Sequence, residues 1–154
     1  MITFILPADG MTHLMRHFSD SAELGSRFYL RSPASLLALA ATSFPDKFMD
    51  AVVDNDGRKR ISVMFDHEIG TCNVVPLSSL TEQERASLFF EDRDGYKVKV
   101  TFSDRTFPTS ECQIILSQDN TVITLFPGPL APPFPGPGET SDYWDNHVFI
   151  KQKE

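Results

Sequence analysis

Residues 96–126, YKVKVTFSDRTFPTSECQIILSQDNTVITLF, decide the fold. Tyr96, Val98, Val100 and Phe102 alternate with Lys97, Lys99 and Thr101, the period of two that gives a strand one buried and one wet face. Glu111 to Ser117 and Thr121 to Phe126 are apolar runs on either side of Gln118-Asp119-Asn120, which predicts an antiparallel hairpin. Asp92-Arg93-Asp94-Gly95 turns the chain into the first of these strands.

Toward the N-terminus the period changes. Gly10 to Phe18 places Met11, Leu14, Met15 and Phe18 on one helical face. In SPASLLALAATSF, Ser32 suits an N-cap, Pro33 suits the first helical position, and Leu36, Leu37, Ala40 and Ala41 form the apolar stripe. Thr81 and Glu84 have capping-box spacing, predicting a short helix that buries Leu80, Leu88 and Phe89 and ends near Phe90. Phe48 to Asp54 and Lys59 to Phe65 read as strands joined by an Asn55-Asp56-Gly57-Arg58 turn, whose Asx and Gly residues supply positive φ. Thr71 to Leu77 and Met1 to Leu6 read as further strands. The expectation is an α+β fold of one domain, residues 1–154, with N-terminal helices packed on a mostly antiparallel β-sheet.

At 154 residues a single core buries roughly 68 to 70 percent of the surface the unfolded chain exposes. Cys72 and Cys112 have no CxxC or Cys/His ligand spacing, so neither a disulfide framework nor a zinc site is expected, and a cytoplasmic location is. MITFILPADGM has no basic n-region and is interrupted by Pro7, Asp9 and Gly10, unlike a secretory signal. No run approaches the roughly 20 apolar residues of a membrane span. A net charge of −7 opposes long-range attraction to nucleic acid, although Arg58, Lys59 and Arg60, and again Lys97, Lys99 and Arg105, concentrate positive charge locally.

Six of the eleven prolines fall between Thr124 and Ile150, in TLFPGPLAPPFPGPGETSDYWDNHVFI. They are interleaved with Leu130, Phe134, Tyr143, Trp144 and Phe149, which favour burial, so the segment reads as an ordered loop able to wall a site. Three constellations carry chemistry. His67 lies between Asp66 and Glu68, whose carboxylates raise its proton affinity, and Thr71 follows at a glycine turn where a hydroxyl could hold a ligand oxygen. Arg105 precedes Thr106, Thr109 and Ser110, a fork-shaped cation beside hydroxyls. Ser141, Tyr143, Trp144, Asn146 and His147 gather an amide, a phenol, an indole and an imidazole. With Ser141 as an N-cap, Tyr143 and His147 share a face at i, i+4. Each has a plain structural reading too: a strand-end histidine in a polar turn, a surface arginine before turn hydroxyls, and aromatics anchoring the C-terminal segment.

Taken together, HEIGT (residues 67–71), RTFPTS (105–110), VITLFPG (122–128), the proline loop and SDYWDNH (141–147) resemble the pattern of small bacterial toxin-like ribonucleases, the group sharing a fold with barnase, RelE and colicin D. The resemblance spans roughly residues 60 to 150. It implies a helical segment before an antiparallel sheet that cleaves RNA without metal or cofactor. His67 would be the general base for the ribose 2′-hydroxyl, His147 the acid to the leaving oxygen, and Arg105 the phosphate ligand. Thr109 and Thr124 would orient the scissile group. Tyr143 or Trp144 would stack a base, with Glu68, Thr71 and Asn146 as further substrate contacts. A cognate inhibitor is the protein partner this implies. The acidic net charge departs from such ribonucleases, which are usually basic. The competing expectation is a non-catalytic module in which the proline and aromatic loop binds a protein or small ligand.

Overall fold

The computed structural model describes residues 3–18, 26–136 and 138–152. After a 3-10 turn at Ala8–Gly10, α1 covers Met11–Met15, and β1, Arg27–Phe28, leads to α2, Pro33–Ser43, and α3, Pro45–Met49. Strands β2 (Arg58–Met64), β3 (Gly70–Thr71) and β4 (Val74–Pro76) precede α4, Glu82–Ala86. Then come β5 (Phe89–Arg93), β6 (Tyr96–Ser103), β7 (Pro108–Thr109), β8 (Glu111–Ser117), β9 (Val122–Pro127), α5 (Asp142–Asp145) and β10 (His147–Gln152).

The fold is α+β. The strands form three sheets, β2-β8-β9, β4-β10-β6-β5 and β1-β3-β7, antiparallel throughout except where β10 runs parallel to β6. The hairpin expected over 111–126 is present as β8 and β9, with Asn120 at φ 70° in its turn. The first core lies between the early helices and the β2-β8-β9 sheet. Leu14 and Phe18 from the α1 segment and Leu36, Leu37 and Ala40 from α2 pack with Ile61, Val63, Ile114, Leu116 and Leu125. Each such large side chain contributes about 1.5 to 3 kcal/mol by leaving water. A second, smaller core joins Val75, Leu80, Phe107, Val148 and Ile150 beneath the four-stranded sheet.

Local signals translate directly. Ser32 Oγ accepts from the Ser35 amide at 3.2 Å and Pro33 takes the first position of α2. Thr81 and Glu84 form a complete capping box, with Glu84 N–H donating to Thr81 Oγ1 and Thr81 N–H to Glu84 Oε1. Asp94 and Gly95, at φ 51° and 85°, make the two-residue turn between β5 and β6.

Four expectations are corrected. Residues 48–54 are not a strand: Pro45 starts α3, which runs through Phe48 and Met49, and β2 pairs with β8 from Arg58↔Ser117 to Met64↔Glu111. The turn before β2 keeps its expected glycine, Gly57 at φ 79°, and Arg60 bonds both Asp54 and Asp56 across it. The helix at 82 stops at Ala86, where Ser87 Oγ donates to the Glu84 carbonyl, and Phe89 and Phe90 instead enter β5 opposite Val100 and Lys99. Thr71 to Leu77 is two short strands and a 3-10 turn. The strict alternation of β6 also fails at its end: Phe102 is 41% exposed while Thr101 and Ser103 are buried. There α4 covers the polar face, with Thr101 Oγ1 donating to the Glu84 carbonyl and Ser103 Oγ to its carboxylate. Of the expected strand at residues 1–6, the first two lie outside the described residues, and the rest carries one bridge, Ile5 to Thr121.

Candidate active site

The residues singled out from the sequence fall into separate places. His67 is exposed in the bend after β2, with Nδ1 2.7 Å from Asp66 Oδ1 and Glu68 exposed beside it. Thr71 is buried in β3. Arg105 is occupied: Nε and Nη2 donate to the two Glu84 carboxylate oxygens at 3.0 and 2.8 Å, Nη2 also donates to the Ser79 carbonyl, and the guanidinium lies over the Phe107 ring. The Arg105 bonds hold the Glu84 carboxyl far below the ordinary carboxylate range.

His147 Nδ1–H donates to the Tyr143 carbonyl at 2.6 Å and its ring stacks on Tyr143 at 3.7 Å between centroids, realising the expected i, i+4 face. The Tyr143 hydroxyl is buried without a hydrogen-bond partner among the described residues, and burial raises its pKa. Trp144 is buried against Phe149 and Phe134, and its indole N–H donates to the Pro132 carbonyl, pinning the proline loop. Asn146 is exposed and donates to the Asp142 carbonyl. Arg105, Thr109 and His147 do share one cavity, of about 340 Å³, walled by Cys72, Phe107 and Pro129. His67 and Thr124 do not line it. Burial, reinforced by the Glu111 carboxylate, pushes the Cys72 thiol up, which keeps it protonated and a poor nucleophile.

Thr124 stands elsewhere, and with better company. α1 lies against β9. Leu14 and Phe18 root the α1 segment in the core, which turns His13 and Arg16 outward and leaves His17 half-buried. On β9, Val122, Leu125 and Pro127 are buried while Thr124 and Phe126 remain half-exposed. Thr124 pairs with Ile115 and Val122 with Leu116, so Ile123 is an extra residue, and this bulge re-aims Thr124. Its hydroxyl meets His13 Nε2 at 3.2 Å.

His17, in the turn that follows α1, directs Nδ1 at the Ser26 carbonyl, 2.9 Å away, and so is held by the segment entering β1. Arg16, between them, is exposed and makes no ion pair with any described residue. A cavity of about 210 Å³ continues from Arg16 and His17 past Ser26 and Asn73 to Phe126 and Leu130. His17 and Arg16 line this cavity, whereas His13 and Thr124 do not; an imidazole and a guanidinium there, with the exposed His13–Thr124 contact adjoining, can move protons and hold an anion. Among the described residues no group of three or more His, Cys, Asp or Glu side chains is placed to hold a metal ion.

Beyond its apolar face, the THLMRH segment carries His13-x-x-x-His17 with Arg16 between, and that spacing on a helix-forming stretch is the signal by which these residues could be found from sequence.

Compared with protein-family models, with curated proteins and with solved structures, the chain matches none.

Proposed function

We propose that this chain is an RNA endonuclease that works by acid–base catalysis without a metal, its centre at the contact of α1 with β9. The observation that carries the reading is the 3.2 Å approach of His13 Nε2 to Thr124 Oγ1 at an exposed contact, with Arg16 and His17, three and four residues on, lining a neighbouring cavity. His13 takes the proton of a ribose 2′-hydroxyl, whose oxygen attacks the adjacent phosphorus. The bond from phosphorus to the 5′-oxygen breaks, His17 protonates that oxygen, and a 2′,3′-cyclic phosphate remains. Arg16 offsets charge on the non-bridging oxygens. Thr124 donates to one of them once the 2′-hydroxyl takes its place on the His13 imidazole. Histidine suits both steps because its ordinary pKa is close to neutral.

Thr124 is common to this centre and to the sequence-based set, whereas the pair of His67 and His147 is replaced by His13 and His17. Arg105 is less suited to phosphate than Arg16, because a phosphate would first have to displace the Glu84 carboxylate. The test is a matched pair of oligonucleotides, all-RNA and the same strand with 2′-deoxyribose at each cleaved position, incubated in EDTA. Cleavage of the first alone, with cyclic phosphate ends, is the expected result. Cleavage of both excludes attack by the 2′-oxygen.

The 340 Å³ cavity between Arg105, Thr109 and His147 favours the second reading, a binding module for a small ligand or protein, in which no RNA is cleaved.

A further inference from the structure

We infer that the 210 Å³ cavity beside the His13–Thr124 contact is a nucleobase subsite and that Asn73 determines which base it takes. The inference rests on the nuclease reading for the identity of its ligand. Arg16 and His17 directly follow α1, three and four residues beyond His13, and Phe126 lies two residues beyond Thr124 on the same face of β9. The strand displacement is about 7 Å, a span one nucleotide covers, and both segments lead into this cavity. A ribose placed at His13 therefore delivers a neighbouring base there.

The lining suits a planar, edge-polar ring. Phe126 and Leu130 offer apolar faces, and base stacking on an aromatic ring contributes about 1 to 3 kcal/mol. Asn73 is half-buried, its backbone fixed by the bond from the Ile150 amide to its carbonyl, yet its carboxamide makes no hydrogen bond with any described residue. A carboxamide presents donors and an acceptor together, the pattern that reads a base edge. The volume equals that of about seven waters in the liquid, enough for one base and too little for two. Such a pocket fits single-stranded RNA, whose bases can be splayed from the stack.

The experiment maps every cleavage site in an RNA containing all dinucleotide steps, for the wild type and for Asn73→Ala and Asn73→Ser. In parallel, binding of the 3′-monophosphates of adenosine, cytidine, guanosine and uridine is titrated against His13→Ala and against His13→Ala with Asn73→Ala. The wild type is expected to prefer one base, and both Asn73 variants to flatten that preference about 10-fold. Monophosphate binding should show the same preference in His13→Ala and lose it in the double variant. Cleavage without base preference, or a preference unchanged in both Asn73 variants, overturns the inference. Absence of cleavage by the wild type sinks the nuclease reading instead. The monophosphate titration then decides the subsite alone: selective binding lost with Asn73 upholds it, and no selective binding overturns it.

Discussion

Glu84 shows how one side chain can serve helix, sheet and loop together. Its carboxylate closes the capping box of α4, accepts from Ser103 Oγ at 2.6 Å on β6, and takes the Arg105 fork. Arg105 is solvent-exposed and keeps its bond to the Ser79 carbonyl, so Glu84→Gln, which weakens the charge-assisted bonds, should cost about 1 to 2 kcal/mol in denaturant unfolding. The sign of the pH dependence follows. Arg105 first, then Ser103, lowers the folded-state pKa below the ordinary 4.5, so the folded chain holds fewer protons than the unfolded chain as that range is approached. The stabilisation is complete above about pH 5 and is lost progressively as pH falls toward the folded value. Wild-type stability should decline on acidification below that point, and the Glu84→Gln curve should be flatter there. Unequal slopes in urea titrations between pH 5 and pH 3 are the readout, and parallel curves would contradict this account of Glu84. Thr124 belongs to the same scale. Thr124→Val keeps its β-branched shape without the hydroxyl and should lower kcat/KM for RNA about 100-fold, whereas Thr124→Ser should retain most activity.

Elements were legible where their cause is local. The Ser32 and Pro33 start of α2, the Thr81–Glu84 capping box, the Asp94-Gly95 turn and the β8–β9 hairpin are written in a few adjacent residues, and each forms as expected. Ser32→Ala should accordingly lower stability by about 1 kcal/mol, measured by thermal or urea unfolding. Other features depend on partners distant in sequence. The parallel pairing of β10 with β6 leaves no periodic signature, and the burial of Thr101 and Ser103 depends on α4 settling over β6. At 48–54 an apolar, β-rich run lost to Pro45, and Met49 and Val52 remain 72% and 76% exposed. The candidate site was partly legible for the same reason. Thr124 was visible at a strand end, but its partner His13 lies 111 positions away, and α1 was read for the residues it buries rather than those it presents. The SDYWDNH segment forms its Ser141 cap and brings Tyr143 and His147 to one face as its spacing predicts, with their rings stacked. Its Trp144 fastens the proline loop through Pro132, and Trp144→Ala should cost about 3 to 5 kcal/mol, read by chemical unfolding.

Across the whole molecule, charge and geometry pull in different directions. The chain carries −7 overall, while His13, Arg16 and His17 follow one another closely where α1 meets β9. On the proposed reading, RNA capture there would depend on a local cation rather than a global field, and phosphate contacts of this kind weaken as salt rises. Placing α1 against a bulged strand gives a footing to His13, and to the turn that carries Arg16 and His17, that an isolated helix of this length could not hold. The β2-β8-β9 sheet supplies that footing through the core it shares with Leu14 and Phe18. The most direct measurement is cleavage of mixed-sequence RNA in EDTA by the wild type beside His13→Ala and His67→Ala. Cleavage by the wild type, unchanged in His67→Ala and reduced at least 100-fold in His13→Ala, is the predicted result. Equal cleavage by all three proteins, or a loss confined to His67→Ala, would contradict a centre at His13 and Thr124.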